Sequence, residues 1–349
     1  MVAEPTADEL YRVLDHEGAL VPGSEIPEIP DEDLQRILVT MLLVRRLDER
    51  MTQLQRQGRI GFYVPCTGEE ASHFAVLPLR QDDWVFPSWR DQGAWLWRGH
   101  GVASYVHQLF GSAADPARGR QIPTHHSSRA IQMVSVSAPP GTHIPQAVGV
   151  AQAARIQRTD QVAMALFGEG AVATGDFHVG MNFAGVYRAP VVLVCRNRGP
   201  APSAAEGQRA AAARLAARGR GYGVHTVRVD GNDVLAVIHV ASAAVARARA
   251  GEGPTLIEAR IETAGSADPV LRLRAHLQRR GLWSAEREAE ILQQHEQAIV
   301  EALRQAEQAG PPVVDTLFDD VYESPPWHLD EQRRYLLAQD RIPARNNQR

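Results

Sequence analysis

Leu166-Phe167-Gly168-Glu169-Gly170-Ala171 decides the fold of this chain. It closes an apolar run that begins at Val162, and it leads through Gly175-Asp176-Phe177-His178 to the helical pattern around Asn182-Phe183-Ala184. An apolar stretch of strand length, broken at glycine and resumed with helical period, is a strand–turn–helix unit. A carboxylate in that turn lies where open α/β sheets bind ligands, beyond strand carboxyl ends and near helix N-termini that favour phosphate. It could there bind a divalent cation bridging a diphosphate, because magnesium takes oxygen ligands and shares them with phosphate. The Gly-Glu-Gly tripeptide alone fits an ordinary acidic turn equally well, so its surroundings must narrow the choice.

Outward from this unit the alternation continues. Val134–Val136, Val162–Phe167, Val191–Cys195, Gly223–Val229 and Thr255–Ala259 read as strands. Ile144 to Ala154, Ala210 to Ala217 and Val234 to Ala250 read as small-residue helices, and a further helix begins near Gly68-Glu69-Glu70. Apolar strands separated by helices predict an α/β fold, a central and mostly parallel sheet with helices on both faces. Residues 1–33 read as an extended arm broken by Pro5, Pro22, Pro27 and Pro30, with Asp31 as N-cap of a long amphipathic helix, Leu34 to Gln57. One domain is expected over residues 34–325, helical and charged from Leu271 to Gln308, and residues 326–349 read as a polar tail.

Composition excludes several chemistries. The 349 residues carry a formal charge of -4, with 44% hydrophobic and 22% charged residues, so no electrostatic reason exists for a nucleic-acid partner. No run is long and apolar enough to span a membrane, and the acidic start (Glu4, Asp8, Glu9) is not a secretory signal. With only Cys66 and Cys195, a disulfide framework is not expected, and the cytoplasm is the expected compartment. The chain contains no lysine at all. Lysine Schiff bases, a lysine-bearing P-loop and a lysine-borne lipoyl or biotin group are therefore excluded.

The segment from Gly168 to Ala184, followed by Val191-Val192-Leu193-Val194-Cys195 and Arg196-Asn197-Arg198-Gly199, resembles the cofactor motif of the alpha subunits of thiamine-diphosphate-dependent 2-oxo acid dehydrogenases. Other segments resemble the same family: Arg56-Gln57-Gly58-Arg59-Ile60 followed by Gly68-Glu69-Glu70, then Val85-Phe86-Pro87-Ser88-Trp89-Arg90, Ile144-Pro145-Gln146-Ala147-Val148-Gly149, Val229-Asp230-Gly231-Asn232-Asp233 and Gly253-Pro254-Thr255-Leu256-Ile257-Glu258-Ala259. Glutamate at position 169 and the Cys-Arg-Asn run favour the branched-chain type. The resemblance implies the thiamine-diphosphate-binding fold and oxidative decarboxylation of a 2-oxo acid on that cofactor, with magnesium. It also implies a beta subunit, as two alpha and two beta chains, and a lipoyl acyltransferase core as acyl acceptor. The alpha subunit would hold the diphosphate half. By the same resemblance Trp89, Arg90, Ala138, Pro140, Gly168, Gly170, Ala171, Arg196 and Arg198 would bind cofactor, Glu169 would bind the metal, and His125 would lie near the active-site channel as the catalytic candidate.

The sequence also departs from the family. Arg198 stands where a second asparagine would ligate metal, and arginine has no acceptor atom. Pro200 stands where a backbone carbonyl would be a further ligand. The family's histidine-bearing loop is absent between Ala259 and Pro269, where Glu262-Thr263-Ala264-Gly265-Ser266-Ala267-Asp268 runs almost directly into the next helix. Ala138-Pro139-Pro140 replaces a Ser-Pro-Leu, and Pro140 offers no N–H. These departures leave a second expectation open: a paralogue that keeps the fold and subunit interface with altered chemistry or none. Elsewhere, His178 reads as a packing or interface residue, and Trp84, Trp89, Trp95 and Trp97 as core rather than a base-stacking surface.

Overall fold

Strand residues that are apolar at every position can be buried on both faces only in a parallel sheet covered by helices. That is the arrangement in the computed structural model, which describes residues 8–199, 214–262, 267–319 and 322–340. Strands β1 (Trp84–Phe86), β2 (Ala163–Gly168), β3 (Val191–Asn197), β4 (His225–Asp230) and β5 (Thr255–Arg260) pair in the order β1-β2-β3-β5-β4, every pairing parallel. The register sets Phe167 beside Cys195 and Gly168 beside Arg196, so the glycine turn after β2 and the arginine run ending β3 leave the sheet at one level.

The period-two alternation of strands splits the core into two layers. Met164, Leu166, Val192, Val194 and Ile257 face α7 (Val234–Arg249) and the 3₁₀ turn Glu70–Val76. Ala163, Ala165, Phe167, Leu193 and Cys195 face α4 (His143–Ile156) and α5 (Gly175–Tyr187). A third cluster lies away from the sheet, where Leu47, Met51 and Leu54 of α1 (Asp31–Arg56) meet Tyr105 and Leu109 of α3 (Val102–Phe110) and Ile299 and Leu303 of α9 (Ala285–Ala309). The arm before α1 is tied to the sheet edge: Tyr11 bridges Val229, and Asp233 accepts the N–H groups of Val13 and Leu14 at 2.7 and 2.6 Å while capping α7 at Leu235 and Ala236.

Several local expectations need correction. Val134–Val136 is not a strand; the chain touches the outer edge of β1 only through hydrogen bonds between Val85 and the backbone of Gln132 and Val134. Gln132 takes a left-handed conformation (φ 53°) that turns the segment out of register. The edge strand is instead Trp84–Phe86. Pro30, not Asp31, occupies the N-cap position of α1, and Asp31 begins the helix, where a carboxylate favours the N-terminal dipole. The helix expected near Gly68 is a 3₁₀ turn. The one expected over Ala210–Ala217 lies outside the described residues up to 213, and its described end is the single turn α6 (Ala217–Arg220). The Leu271–Gln308 stretch divides into α8 (Pro269–Arg279) and α9, and residues 327–340 form a helix, α10 (Trp327–Asp340). No helix among the described residues is long and apolar enough to cross a membrane.

Candidate functional site

A cavity of about 230 Å³ opens beyond the carboxyl ends of β1, β2 and β3. Its walls bring together residues from four parts of the chain. The β1 loop gives Ser88, Trp89 and Arg90, the loop before α4 gives Ala138 and Pro140, the β2 turn gives Gly168 to Ala171, and the end of β3 gives Arg196 and Arg198. All nine positions expected to bind cofactor therefore line one space, as does Glu169. His125 does not line it. That side chain is buried behind Trp89, with ring centroids 6.3 Å apart, and its Nδ1 lies 3.2 Å from the Pro123 carbonyl. Pro200 lies outside the described residues.

Hydrogen bonds hold the β1 loop to the end of β3. Asp91 accepts from the Ser88 N–H at 2.5 Å and from its hydroxyl at 2.9 Å, and it pairs with the Arg196 guanidinium. Arg196 also donates to the Ser88 hydroxyl at 2.6 Å and to the Arg90 carbonyl at 3.0 Å. Burial opposes its charge, but Asp91 and Glu69 more than offset that, and its pKa is raised. His73 fixes the same loop from behind: its Nδ1 accepts the Gly93 N–H at 3.2 Å, so Nε2 carries the proton donated to the Arg90 carbonyl at 2.7 Å. Burial, with help from Arg196, pulls the His73 pKa down to about 4, so the ring is neutral near pH 7.

Glu69 is the site residue that the sequence reading passed over. It is buried in the cavity wall, with Arg196 Nε at 3.3 Å and Arg198 Nε at 2.7 Å from its two oxygens. No local pattern announces it, because its partners arrive from the far side of the sheet. Asp48 supports this segment by accepting from the Tyr63 hydroxyl, the Cys66 N–H and the Thr67 hydroxyl at 2.7, 2.8 and 2.9 Å. His143 is a second missed residue. Its Nε2 lies 3.0 Å from the Leu166 carbonyl, and its Nδ1 is buried without a hydrogen-bond partner among the described residues.

The cavity suits an anionic, phosphate-bearing ligand. Three guanidiniums converge on it, and Arg90 Nε is buried with no hydrogen-bond partner among the described residues. Burial, together with the charges of Arg198 and Arg196, lowers the Arg90 pKa against the pull of Glu69, which is the environment of a cation short of an anion. Gly168 and Gly170 point the same way. A Cβ added at either would meet no atom of the described residues within 4 Å, and neither has a positive φ. Nothing within the chain demands glycine there, whereas a ligand lying against the backbone would.

Magnesium finds few ligands among the described residues. Arg198 presents only donors and a fixed positive charge. The Asn197 amide oxygen accepts the Gly199 N–H at 2.9 Å, its amide nitrogen donates to Glu258 at 2.7 Å, and the residue does not line the cavity. Among the described residues no group of three or more His, Cys, Asp or Glu side chains is placed to hold a metal ion.

Comparison with known proteins agrees with this geometry. The sequence model of the family described as "Dehydrogenase E1 component" matches residues 39–263 and 260–315. The chain is 37% identical over 350 residues to the mitochondrial 2-oxoisovalerate dehydrogenase subunit alpha of Bos taurus, covering 94% of this chain and 77% of that protein. The corresponding subunit alpha 2 of Arabidopsis thaliana is 34% identical, with 95% and 75% covered, and that of Dictyostelium discoideum 33% identical, with 94% and 80% covered. These relatives are named as mitochondrial, which overturns the cytoplasmic expectation and points to the mitochondrion.

Proposed function

The chain belongs to the dehydrogenase E1 component family, and from that premise we propose that it is the alpha-type subunit of a branched-chain 2-oxo acid dehydrogenase, holding the diphosphate half of thiamine diphosphate. It is a thiamine-diphosphate-dependent oxidoreductase subunit that takes part in oxidative decarboxylation of a substrate such as 2-oxoisovalerate. The observation that carries the site assignment is the single cavity gathering Trp89, Arg90, Glu169, Arg196 and Arg198 at the carboxyl ends of three neighbouring strands. When bound, the cofactor would supply the nucleophilic carbon needed to decarboxylate a 2-oxo acid.

The chain's own residues bind and orient. Arg90 and Arg198 face the diphosphate, Arg196 locks the Arg90 loop against β3, and the glycine turn lets the backbone approach the ligand. Trp89 walls the cavity on the side where His125 stands behind it. The departures noted in the sequence do not favour a non-catalytic paralogue, because each relative named above is a dehydrogenase subunit.

A beta subunit would complete the active centre in a two-alpha, two-beta assembly, with a lipoyl acyltransferase core receiving the acyl unit. Val179, Phe183, Val186 and Tyr187 are exposed along α5, next to the site, and suit such a contact. The test is reconstitution with a beta-type subunit and assay of 2-oxoisovalerate decarboxylation with an artificial electron acceptor. Turnover abolished by Arg90→Ala is expected; a reconstituted pair that binds cofactor yet never turns over would overturn the assignment.

A further inference from the structure

We propose that Arg198 takes the place of the divalent cation, so that this chain holds the diphosphate by arginine alone and binds its cofactor without magnesium. The inference rests on the thiamine diphosphate reading above and changes what that reading says of the anion site. Arg198 and Arg196 differ in freedom. Arg196 is 4% exposed and committed to Asp91, Ser88 and the Arg90 carbonyl. Arg198 is 30% exposed, and its Nε stands 2.7 Å from Glu69 as an ion contact without the alignment of a hydrogen bond. Among the described residues its one hydrogen bond as donor is to the Thr67 carbonyl at 3.3 Å, long for a guanidinium. Arg198 can therefore turn from Glu69 to an entering anion, and Glu69 then keeps Arg196 as its partner at 3.3 Å.

Among the described residues this arrangement offers a cation little besides Glu169. A divalent ion beside Glu169 would need further oxygen ligands. The side chain at 198 has no lone pair to give, and the Asn197 oxygen is already taken by the Gly199 N–H. Arginine stays protonated at any working pH, so its charge would oppose the ion permanently. The guanidinium fork instead matches two phosphate oxygens, and Arg90, whose buried Nε lacks a partner among the described residues, supplies the second such fork in the same wall.

Isothermal titration of the chain reconstituted with a beta-type subunit, using inorganic pyrophosphate and separately thiamine diphosphate, decides the matter, each in EDTA and each in excess magnesium. Both ligands should bind in EDTA, with affinity changed by magnesium no more than about threefold, roughly half of one tenfold step in free energy. Arg198→Asn should weaken binding in EDTA by about tenfold or more, the weight of a charge-assisted contact, and should regain affinity when magnesium is added. Arg198→Gln provides the same removal of charge should the asparagine variant not fold. Binding of either ligand only in the presence of magnesium would overturn this inference and leave the cofactor assignment standing. Absence of binding by both ligands in both buffers would overturn both.

Discussion

Glu69 Oε1 lies 2.7 Å from Arg198 Nε while the opposite oxygen of the same carboxylate faces Arg196 at 3.3 Å, so one buried acid holds two arginines at the mouth of the cofactor cavity. The carboxylate both stabilises the two arginines and competes with any anion that enters the cavity. Glu69→Gln separates these roles. Arg196 keeps Asp91 and Ser88, so the loss of stability should be about 1–3 kcal/mol, below that of a wholly unpaired buried charge. Pyrophosphate affinity should rise at the same time. Urea denaturation and calorimetry on the same variant check both directions, and an affinity that falls with stability would contradict the competition.

The glycines of the β2 turn and of α5 should respond in opposite ways to one added methyl group. Gly168→Ala and Gly170→Ala place Cβ in open space, so stability should change by less than about 1 kcal/mol. Thiamine diphosphate affinity should nonetheless fall, because that space is where the ligand approaches. Gly185→Ala drives Cβ into the Tyr222 carbonyl, and overpacking against backbone should cost about 3 kcal/mol or more. Thermal melts with and without cofactor distinguish the two classes. Unchanged affinity in both turn variants would remove the ligand-based explanation of the glycines.

Buried His73 and half-buried His100 predict an acid-side loss of stability. The unfolded chain takes up protons at His73 and His100 near pH 6.5, whereas the folded chain resists until about pH 4, burial being the main cause at both. Their folded pKa values are lowered, so the unfolded state binds more protons over that window and stability falls with pH from 6.5 toward 4. The slope should approach about 1.4 kcal/mol per pH unit for each histidine. His100→Phe keeps the ring among Trp95, Tyr105 and His126 and should remove one share of the slope. Denaturation midpoints measured across the window report it directly, and an unaltered slope would count against His100.

What the sequence could reveal follows from where each signal resides. Gly168-Glu169-Gly170 was legible because the strand, the turn and the helix that define it are contiguous, and the same holds for the strands flanking α7. Trp84–Phe86 was not, since three residues before Pro87 show no period, and its pairing with Ala163–Ala165 is supplied by the sheet. Val134–Val136 has strand-like side chains, but the left-handed turn at Gln132 removes it from the ladder. Glu69 and His143 become site residues only when β2 and β3 bring Arg196, Arg198 and the Leu166 carbonyl to them. Such side-chain convergence across separate elements leaves no local trace.

Asp233 shows how far a single capping residue can reach in this fold. One of its oxygens caps α7 at Leu235 and Ala236, at 3.1 and 3.2 Å, and the other accepts the Val13 and Leu14 N–H groups of the N-terminal arm. All four donors are buried, so Asp233→Ala removes a helix cap and strands two arm N–H groups where water does not reach. Loss of the cap contributes about 1 kcal/mol, and each of the two stranded donors about 1–3 kcal/mol, for a total near 3–7 kcal/mol if the arm stays in place. If the arm instead detaches, the donors regain water, and the loss appears as proteolytic cleavage before α1 with the sheet intact. Urea denaturation combined with limited proteolysis separates these outcomes. Wild-type stability together with a protected arm would show that the carboxylate does not hold the arm to the β4 edge.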